Sequence, residues 1–409
     1  MIRQQLKEFR PLQPANVDVI RSPRHGSGQA DLRGYNERLI LSVLRNHGPN
    51  AKAEIARITG LSAQSASVIM RKLEAEELIE RCPPVRGKVG QPSVPMKLSP
   101  DGALFFGLKV GRRSADLVLV DFLSRTVDRR HLTYSYPDPD TALDFLRRAI
   151  DELTALLDQR QIKNIAGLGI ALPGYLWEWS KIVRVPAERM AAWRDRDILL
   201  EIDALFDFPV YLQNDASCAC GAELVFGDQD HPANFLYFYI GYFIGGGVVI
   251  DNALFTGSTG NSGALGPLPV PRKSGGVQQL IDVASLSCLE DMIIEAGGNS
   301  NDLWETSSSW RVDDAILRKW VDQTAGGLAC AIVASCSIID FEMVVIDGWL
   351  PEDVRRQLVE RTKAKLAKLN LAGLVQPEIR EGTIGPDARA MGAASLPLSQ
   401  HFMVSPRGL

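Results

Sequence analysis

Twice between Phe105 and Leu350 the chain runs through the same succession of apolar hairpin, helix and apolar strand. In the first pass, "LFFGLKVG" and "ADLVLVDFLS" are apolar runs joined by a short turn, which predicts a hairpin. "TALDFLRRAIDELTALLDQR" follows, with Leu143, Leu146, Ile150, Leu153 and Leu157 at helical spacing. "IAGLGIALPGYL" is a buried strand ending in a Pro-Gly turn, and "PVYLQNDASCACGAELVFG" is strand, polar corner and helix. In the second pass, "NFLYFYIGYFIGGGVVIDNALFTG" is a glycine-centred hairpin, and the helix "WVDQTAGGLACAIVASCSIID" leads to the strand "MVVIDGWL". At 409 residues the chain is too long for one core. The doubled alternation predicts two α/β lobes with a cleft between them.

Ahead of this body the texture is different. Residues 1–34 are polar, with Pro and Gly and no sustained period, and read as a flexible arm. From Asn36, Leu39, Ile40, Val43 and Leu44 fall on one helical face until "NHGPN" stops the helix. "AKAEIARIT" is a second helix with Ile55, Ala56 and Ile58 inward, and "GLS" is a tight turn that leaves Ser62 to cap a third. That helix buries Ala66, Ile69, Met70 and Leu73, so Gln64, Ser65, Ser67, Val68, Arg71 and Lys72 face outward. "LIERC" and "VPMKLS" read as strands around the tip "PPVRGKVGQPS". Three helices and a hairpin make an α+β winged helix-turn-helix domain, expected over 35–100 and followed by the body over 101–409, with its second lobe at about 213–380. The exposed face of the third helix is small, polar and basic, as entry into a major groove requires. Arg71 and Lys72 suit phosphates, while Arg86, Lys88 and Gln91 in the wing could reach backbone or minor groove.

Charge points the same way. Residues 1–98 carry 16 Lys+Arg against 9 Asp+Glu, whereas the remainder carries 29 against 40. A basic head on an acidic body predicts a polyanion partner, double-stranded DNA, for the head alone. No stretch approaches a membrane span and the N-terminus lacks a signal-peptide core, so a cytoplasmic protein without membrane partners is expected. The six cysteines form no spaced metal set.

"GIALPGYL", "QNDASCACGAELVFG" and "YIGYFIGGGVVIDNALFTGSTGNSGALGPLPV", in that order, resemble the ROK family of repressors and sugar kinases. The winged domain with "GKVGQPS" is similar to the repressor branch. The resemblance implies an actin-like, two-lobed sugar-kinase (ribonuclease H-like) body that forms a homodimer or tetramer. The family's kinases open this body with Asp-x-Gly-Gly-Thr around the ATP phosphates. Here "KVGRR" sets Lys109 for the Asp, and Arg112 and Arg113 for the second Gly and the Thr. Phe243 stands where the second phosphate hairpin usually has Gly, and Asp347 and Trp349 where kinases are glycine-rich near adenosine. Close phosphate approach needs backbone without bulk, and an amine cannot take the place of a magnesium-associated carboxylate, so no catalytic residue and no cofactor are expected.

For the sugar site, the resemblance carries over Asn214 and Asp215, the family's Asn-Asp pair, together with Asn261 and Glu290. A strand-end Asn-Asp is equally a helix cap, and Glu290 equally a solvated helix carboxylate. The Glu and His that normally follow the third of these are Ala264 and Pro267. Pro267 also removes a zinc ligand, which leaves Cys288 alone, and no metal is expected. The reading is a DNA-binding regulator, a repressor of carbohydrate-related genes, with a degenerate kinase body that senses a sugar effector. Two alternatives are a body used only for assembly and an active sugar kinase.

Overall fold

The computed structural model describes residues 29–84, 93–180, 185–228, 230–272 and 274–404. The winged domain comprises α1 (Gln29–His47), α2 (Lys52–Thr59), α3 (Ala63–Ala75), β1 (Ile79–Arg81) and β2 (Met96–Leu98). Helix α1 begins within the expected arm and takes in its last residues, 29–34. Those residues lack an apolar stripe, so periodicity could not mark them. Gly60 ends α2 at φ 68°, in the left-handed region, and turns the chain toward α3. The Ser62 side chain caps α3 by accepting from the Ser65 amide at 3.1 Å. Ala66, Ile69, Met70 and Leu73 form its buried stripe, as their spacing predicts. The antiparallel pairing of β1 with β2 sets Ile79 opposite Leu98. Arg86, Lys88 and Gln91, at the wing tip, lie outside the described residues.

Lobe 1 holds β3 (Leu104–Val110), β4 (Ser114–Asp121), β5 (Thr126–Thr133), the crossover helix α4 (Pro139–Thr154), β6 (Ile165–Leu172) and β7 (Val210–Asn214). Its sheet has the order β5-β4-β3-β6-β7. The β3–β4–β5 meander is antiparallel, and β6 and β7 continue parallel to β3. Helix α5 (Asp215–Phe226) then leads to lobe 2, with β8 (Phe235–Ile240), β9 (Ile244–Ile250), β10 (Ala253–Leu254), α6 (Leu286–Glu295), α7 (Asp314–Cys336), β11 (Met343–Gly348), α8 (Glu352–Leu366) and β12 (Glu378–Glu381). Its sheet order, β10-β9-β8-β11-β12, repeats the topology of lobe 1. The doubled sequence pattern is therefore a doubled fold.

The last helix, α9 (Ala388–Phe402), leaves lobe 2 and packs on β3, β6 and α5. Backbone meets backbone there. A Cβ on Gly169 of β6 would stand 1.8 Å from the Ala393 carbonyl oxygen, and one on Gly392 would stand 1.7 Å from that of Cys218.

The winged domain shares this core. Ile40, Leu44, Met70 and Leu73 belong to one apolar cluster with Phe105, Phe122 and Leu398. Phe402, at the end of α9, lies edge-on to Phe122 at 5.0 Å and to Phe105 at 5.8 Å. Over this seam Arg45 of α1 donates to the Phe122 carbonyl and to Ser124 Oγ, each at 2.6 Å, with its guanidinium 5.7 Å from the Phe122 ring centroid. Burial draws the Arg45 pKa down to about 10, partly offset by Asp121, so it stays charged at neutral pH. The Val404 amide donates to Ser42 Oγ at 3.1 Å and ties the chain end to α1.

Arg45→Ala leaves the Phe122 carbonyl unpaired at the seam, a loss of about 1.5–3 kcal/mol for hydrogen bonds from a charged donor. Calorimetry of the variant is expected to split off an early transition for the winged domain. A single transition at the wild-type temperature counts against this coupling.

Candidate nucleic-acid interface and inter-lobe cleft

On α3 the structure exposes Gln64, Ser65, Val68, Arg71 and Lys72, and leaves Ser67 half-buried. Gln64 and Val68 lie one turn apart, so a donor–acceptor and an apolar surface adjoin on the exposed face. Ser65 belongs partly to the cap, since its Oγ accepts from Ser62 Oγ at 2.8 Å. The Arg71 Nε reaches the Ser67 carbonyl at 3.3 Å and its side chain remains exposed. Lys72 pairs with Glu37 of α1 at 2.6 Å and with Glu76 at 3.7 Å, which outward position alone did not reveal.

At the junction of lobe 1 with α5, Asn214 ends β7 and caps α5, its Oδ1 accepting from the amides of Ala216 at 3.0 Å and Ser217 at 3.3 Å. Next to it the Asp215 carboxylate accepts from Arg389 of α9 at 3.2 Å. The Arg389 guanidinium lies half-buried, 5.0 Å from the Tyr239 ring centroid. Burial opposes its charge, but Tyr239 and Asp215 outweigh burial and hold its pKa above the ordinary arginine value. Asn261 is exposed in the loop after β10. Glu290 is a buried residue of α6, not a solvated one. It accepts from Trp304 Nε1 at 2.9 Å and Ser300 Oγ at 3.3 Å, and faces Arg112 and Arg113 of lobe 1 at 3.8 and 3.6 Å. The structure thus joins Asn214 to Asp215 beside α9 and sets Glu290 against the β3–β4 turn. Tyr242 and Trp304, with centroids 5.4 Å apart, flank that second group. Periodicity gave no sign of them, because Tyr242 stands in the β8–β9 turn and Trp304 in a single helical turn, Asp302–Glu305.

The nucleotide-related positions are filled by ion pairs. Lys109 is buried and donates to Ser114 Oγ at 2.7 Å and Asp116 Oδ2 at 2.8 Å. Burial lowers its pKa against the pull of Asp116. Burial would raise Asp116, but Lys109 and the His131 ring prevail and hold it below the usual carboxylate range. The family resemblance sets this ammonium in the place of the kinases' magnesium-associated carboxylate. Asp347 is fully buried, accepting from Tyr237 Oη at 3.0 Å and from the Gly348 and Gly385 amides, each at 2.9 Å. Trp349 donates Nε1–H to the Leu303 carbonyl at 2.8 Å. The Cys288 thiol approaches the Ile281 carbonyl at 3.5 Å, and among the described residues no His, Cys, Asp and Glu group could hold a metal.

A DNA-reading fold built into a two-lobed body with a sugar-kinase topology defines a class that joins regulators to kinases. Residues 105–400 match the model of the ROK family and residues 34–88 that of the MarR family. The chain belongs to the ROK family. It is 26% identical over 242 residues to the xylose repressor of Bacillus spizizenii, a match covering 59% of this chain and 62% of the repressor. A crystal structure of a ROK family transcriptional regulator, a homologue of the Escherichia coli MLC protein, superposes with a TM-score of 0.65 at 21% identity, over 91% of this chain and 97% of that one. A ROK family glucokinase from Streptomyces griseus, in complex with glucose and AMPPNP, gives 0.56 at 18% identity, over 72% and 99%. Among the described residues no helix is long and apolar enough to cross a membrane.

Glu223 of α5 is a residue that sequence gave no reason to single out. Its carboxylate accepts from the Thr383 amide and hydroxyl, both at 3.0 Å. Burial, together with Asp347, raises its pKa to about 7 from 4.5. The folded state therefore holds this proton more tightly than the unfolded state. Its stabilising contribution is complete below pH 4.5 and is lost as pH rises through about 7. Glu223→Gln is expected to flatten the decline in stability over this interval, which one such group steepens by up to ~1.4 kcal/mol per pH unit. Denaturant titrations at intervals of pH check this, and an unchanged pH profile would refute it.

Proposed function

We propose that this chain is a sequence-specific repressor of carbohydrate-related genes, whose body assembles at least as a homodimer and senses a carbohydrate-derived effector in the cleft. The observation that carries the reading is the shared core. A DNA-reading domain tied to lobe 1 through Phe402, Phe122 and Arg45 transmits any change in lobe position to α3. The repressor named among the relatives supports the same assignment. Binding to chromosomal DNA places the protein in the cytoplasm. Two recognition helices must stand about 34–36 Å apart to meet successive major grooves, so a small lobe rotation alters operator affinity. Asn214 and Asp215 are the proposed effector contacts, with Asn261 at the rim.

The body carries out no phosphoryl transfer in this reading. Lys109 and Asp347, each locked in buried polar contacts, support that conclusion. A coupled assay with a hexose panel is expected to give background ATP turnover. Robust turnover that Asp215→Asn abolishes would restore the kinase alternative.

For the DNA face, replacing Gln64 is expected to change base preference. Arg71→Ala should weaken operator and non-specific DNA about equally, with a salt dependence shallower by about one counterion. Lys72→Ala should have a smaller effect because Glu37 and Glu76 already share its charge. Affinity and salt slope unaltered in an Arg71→Ala, Gln64→Ala double variant would remove α3 from the interface.

A further inference from the structure

Most of the outward side chains of α3 are already engaged. Ser65 serves the cap, its Oγ accepting from Ser62 Oγ at 2.8 Å and its amide donating to that oxygen at 3.1 Å. Lys72 is shared between Glu37 and Glu76. Arg71 commits its Nε to the Ser67 carbonyl at 3.3 Å, which leaves its outer N–H groups for a phosphate. Ala63 and Ala75 are exposed but offer only a methyl. That leaves Gln64, whose exposed amide carries a donor and an acceptor, and Val68, which is 43% exposed.

Among the described residues of the winged domain, no other large apolar side chain is as exposed as Val68. One exposed valine is ordinary on a surface. This one lies four residues after Gln64, on the helix whose N-terminal half meets base edges. Four residues advance a helix by about 6 Å, close to two base-pair steps of about 3.4 Å each. Both side chains can therefore meet base pairs that are neighbours or one apart.

Each base pair presents a distinct edge to the major groove. Adenine offers the N7 acceptor and the N6 donor, which the Nε2 and Oε1 of Gln64 match together. Guanine offers two acceptors, so the same amide would set its oxygen against one of them. Val68 has no polar side-chain atom. Against the N4 donor of cytosine it would desolvate that group without pairing it. Against the methyl of thymine it buries apolar surface on both sides. Gln64 thus selects an A·T pair through its purine, and Val68 selects one through its pyrimidine.

We propose that α3 reads A·T pairs in each operator half-site, an adenine through Gln64 and, within two base pairs of it, a thymine methyl through Val68. The proposal rests on α3 being the DNA-reading helix of a sequence-specific regulator. Neither reader is charged, so their discrimination adds to the attraction of Arg71 for phosphate without adding to the salt dependence.

The test selects binding sites for the full chain from a randomised duplex library, then alters the selected site atom by atom. Exchanging adenine for 7-deazaadenine replaces the N7 acceptor by C–H, and exchanging thymine for uracil removes only the methyl. At one adenine of each half-site the wild type is expected to lose roughly fivefold in affinity, the scale of one hydrogen bond. At one thymine within two base pairs it is expected to lose roughly fourfold, the scale of one buried methyl. The first loss should vanish in Gln64→Ala and the second in Val68→Ala, with the salt dependence of both variants equal to that of wild type. Alanine at these exposed helical positions favours the helix, so both variants keep the fold.

The proposal is overturned if either loss is absent, or persists unchanged in its own variant. The chain then remains a sequence-specific regulator that reads through other residues. A library from which nothing is enriched, although duplex DNA is bound, removes the sequence-specific reading itself and this proposal with it.

Discussion

The contact on which the rest of the molecule depends is that of α9 with the lobe-1 sheet and α5. Helix and sheet normally keep the distance their side chains require, but here glycines remove the side chains. Gly107 and Gly169 let two adjacent strands meet the α9 backbone at Ala390 and Ala393, and Gly392 brings α9 onto α5 at Cys218. A Cβ at any of these positions would stand 1.7–2.2 Å from a carbonyl oxygen, far inside contact distance. The helix is fixed by shape, not by a polar network. Its two ends are thereby fixed as well, with Arg389 beside Asp215 and Phe402 under the winged domain.

Electrostatics makes the cleft specific to this chain. Where the ROK kinases use a carboxylate and small residues around phosphates, this sequence has cations, and each is assigned a carboxylate: Lys109 to Asp116, Arg389 to Asp215, Arg112 and Arg113 to Glu290. Buried charges persist only when matched, because removing one partner leaves the other desolvated and uncompensated. Under the proposed function, the pairing also sets which ligand charges fit between the lobes, since a newcomer must satisfy whatever it separates.

Much of the fold was legible because apolar periodicity reports packing directly. The α3 stripe from Ala66 to Leu73 and the buried β3 and β6 read as such in the sequence. Helix α1 was legible only from Asn36, since its first residues carry no apolar period in the sequence. The site was less legible for a different reason. Asp215 could be located from its corner between strand and helix, but its partner Arg389 stands far along the chain. Glu290 invited a solvated reading because its neighbours in sequence do not disclose Arg112, Arg113 or Trp304. The outward face of Lys72 suits a phosphate contact, but that face alone does not disclose Glu37 of another helix beside it. Patterning gives the face a residue occupies, whereas long-range charge pairing decides what that residue is free to do.

These constraints bear on how a signal could travel. A winged domain that swung on a linker would need no detailed relation to the body, and effector binding would have to order it anew. Here α1 and α3 share a core with Phe105, Phe122 and Leu398, and Arg45 spans the seam with two charged hydrogen bonds. Separating them exposes apolar surface and breaks two charge-assisted hydrogen bonds, a cost that opposes independent movement of the winged domain and lobe 1. Lobe 2 meets lobe 1 in two ways: through α5 and α9, whose apolar cluster takes in Phe105, Phe235, Tyr237 and Val249, and at the β3–β4 turn, where Arg112 stands over Tyr242 and 3.8 Å from Glu290. The contacts at the turn yield at lower cost than the close-packed core around α9. Under the proposed function, a ligand that enters between the lobes acts on the softer of these two contacts.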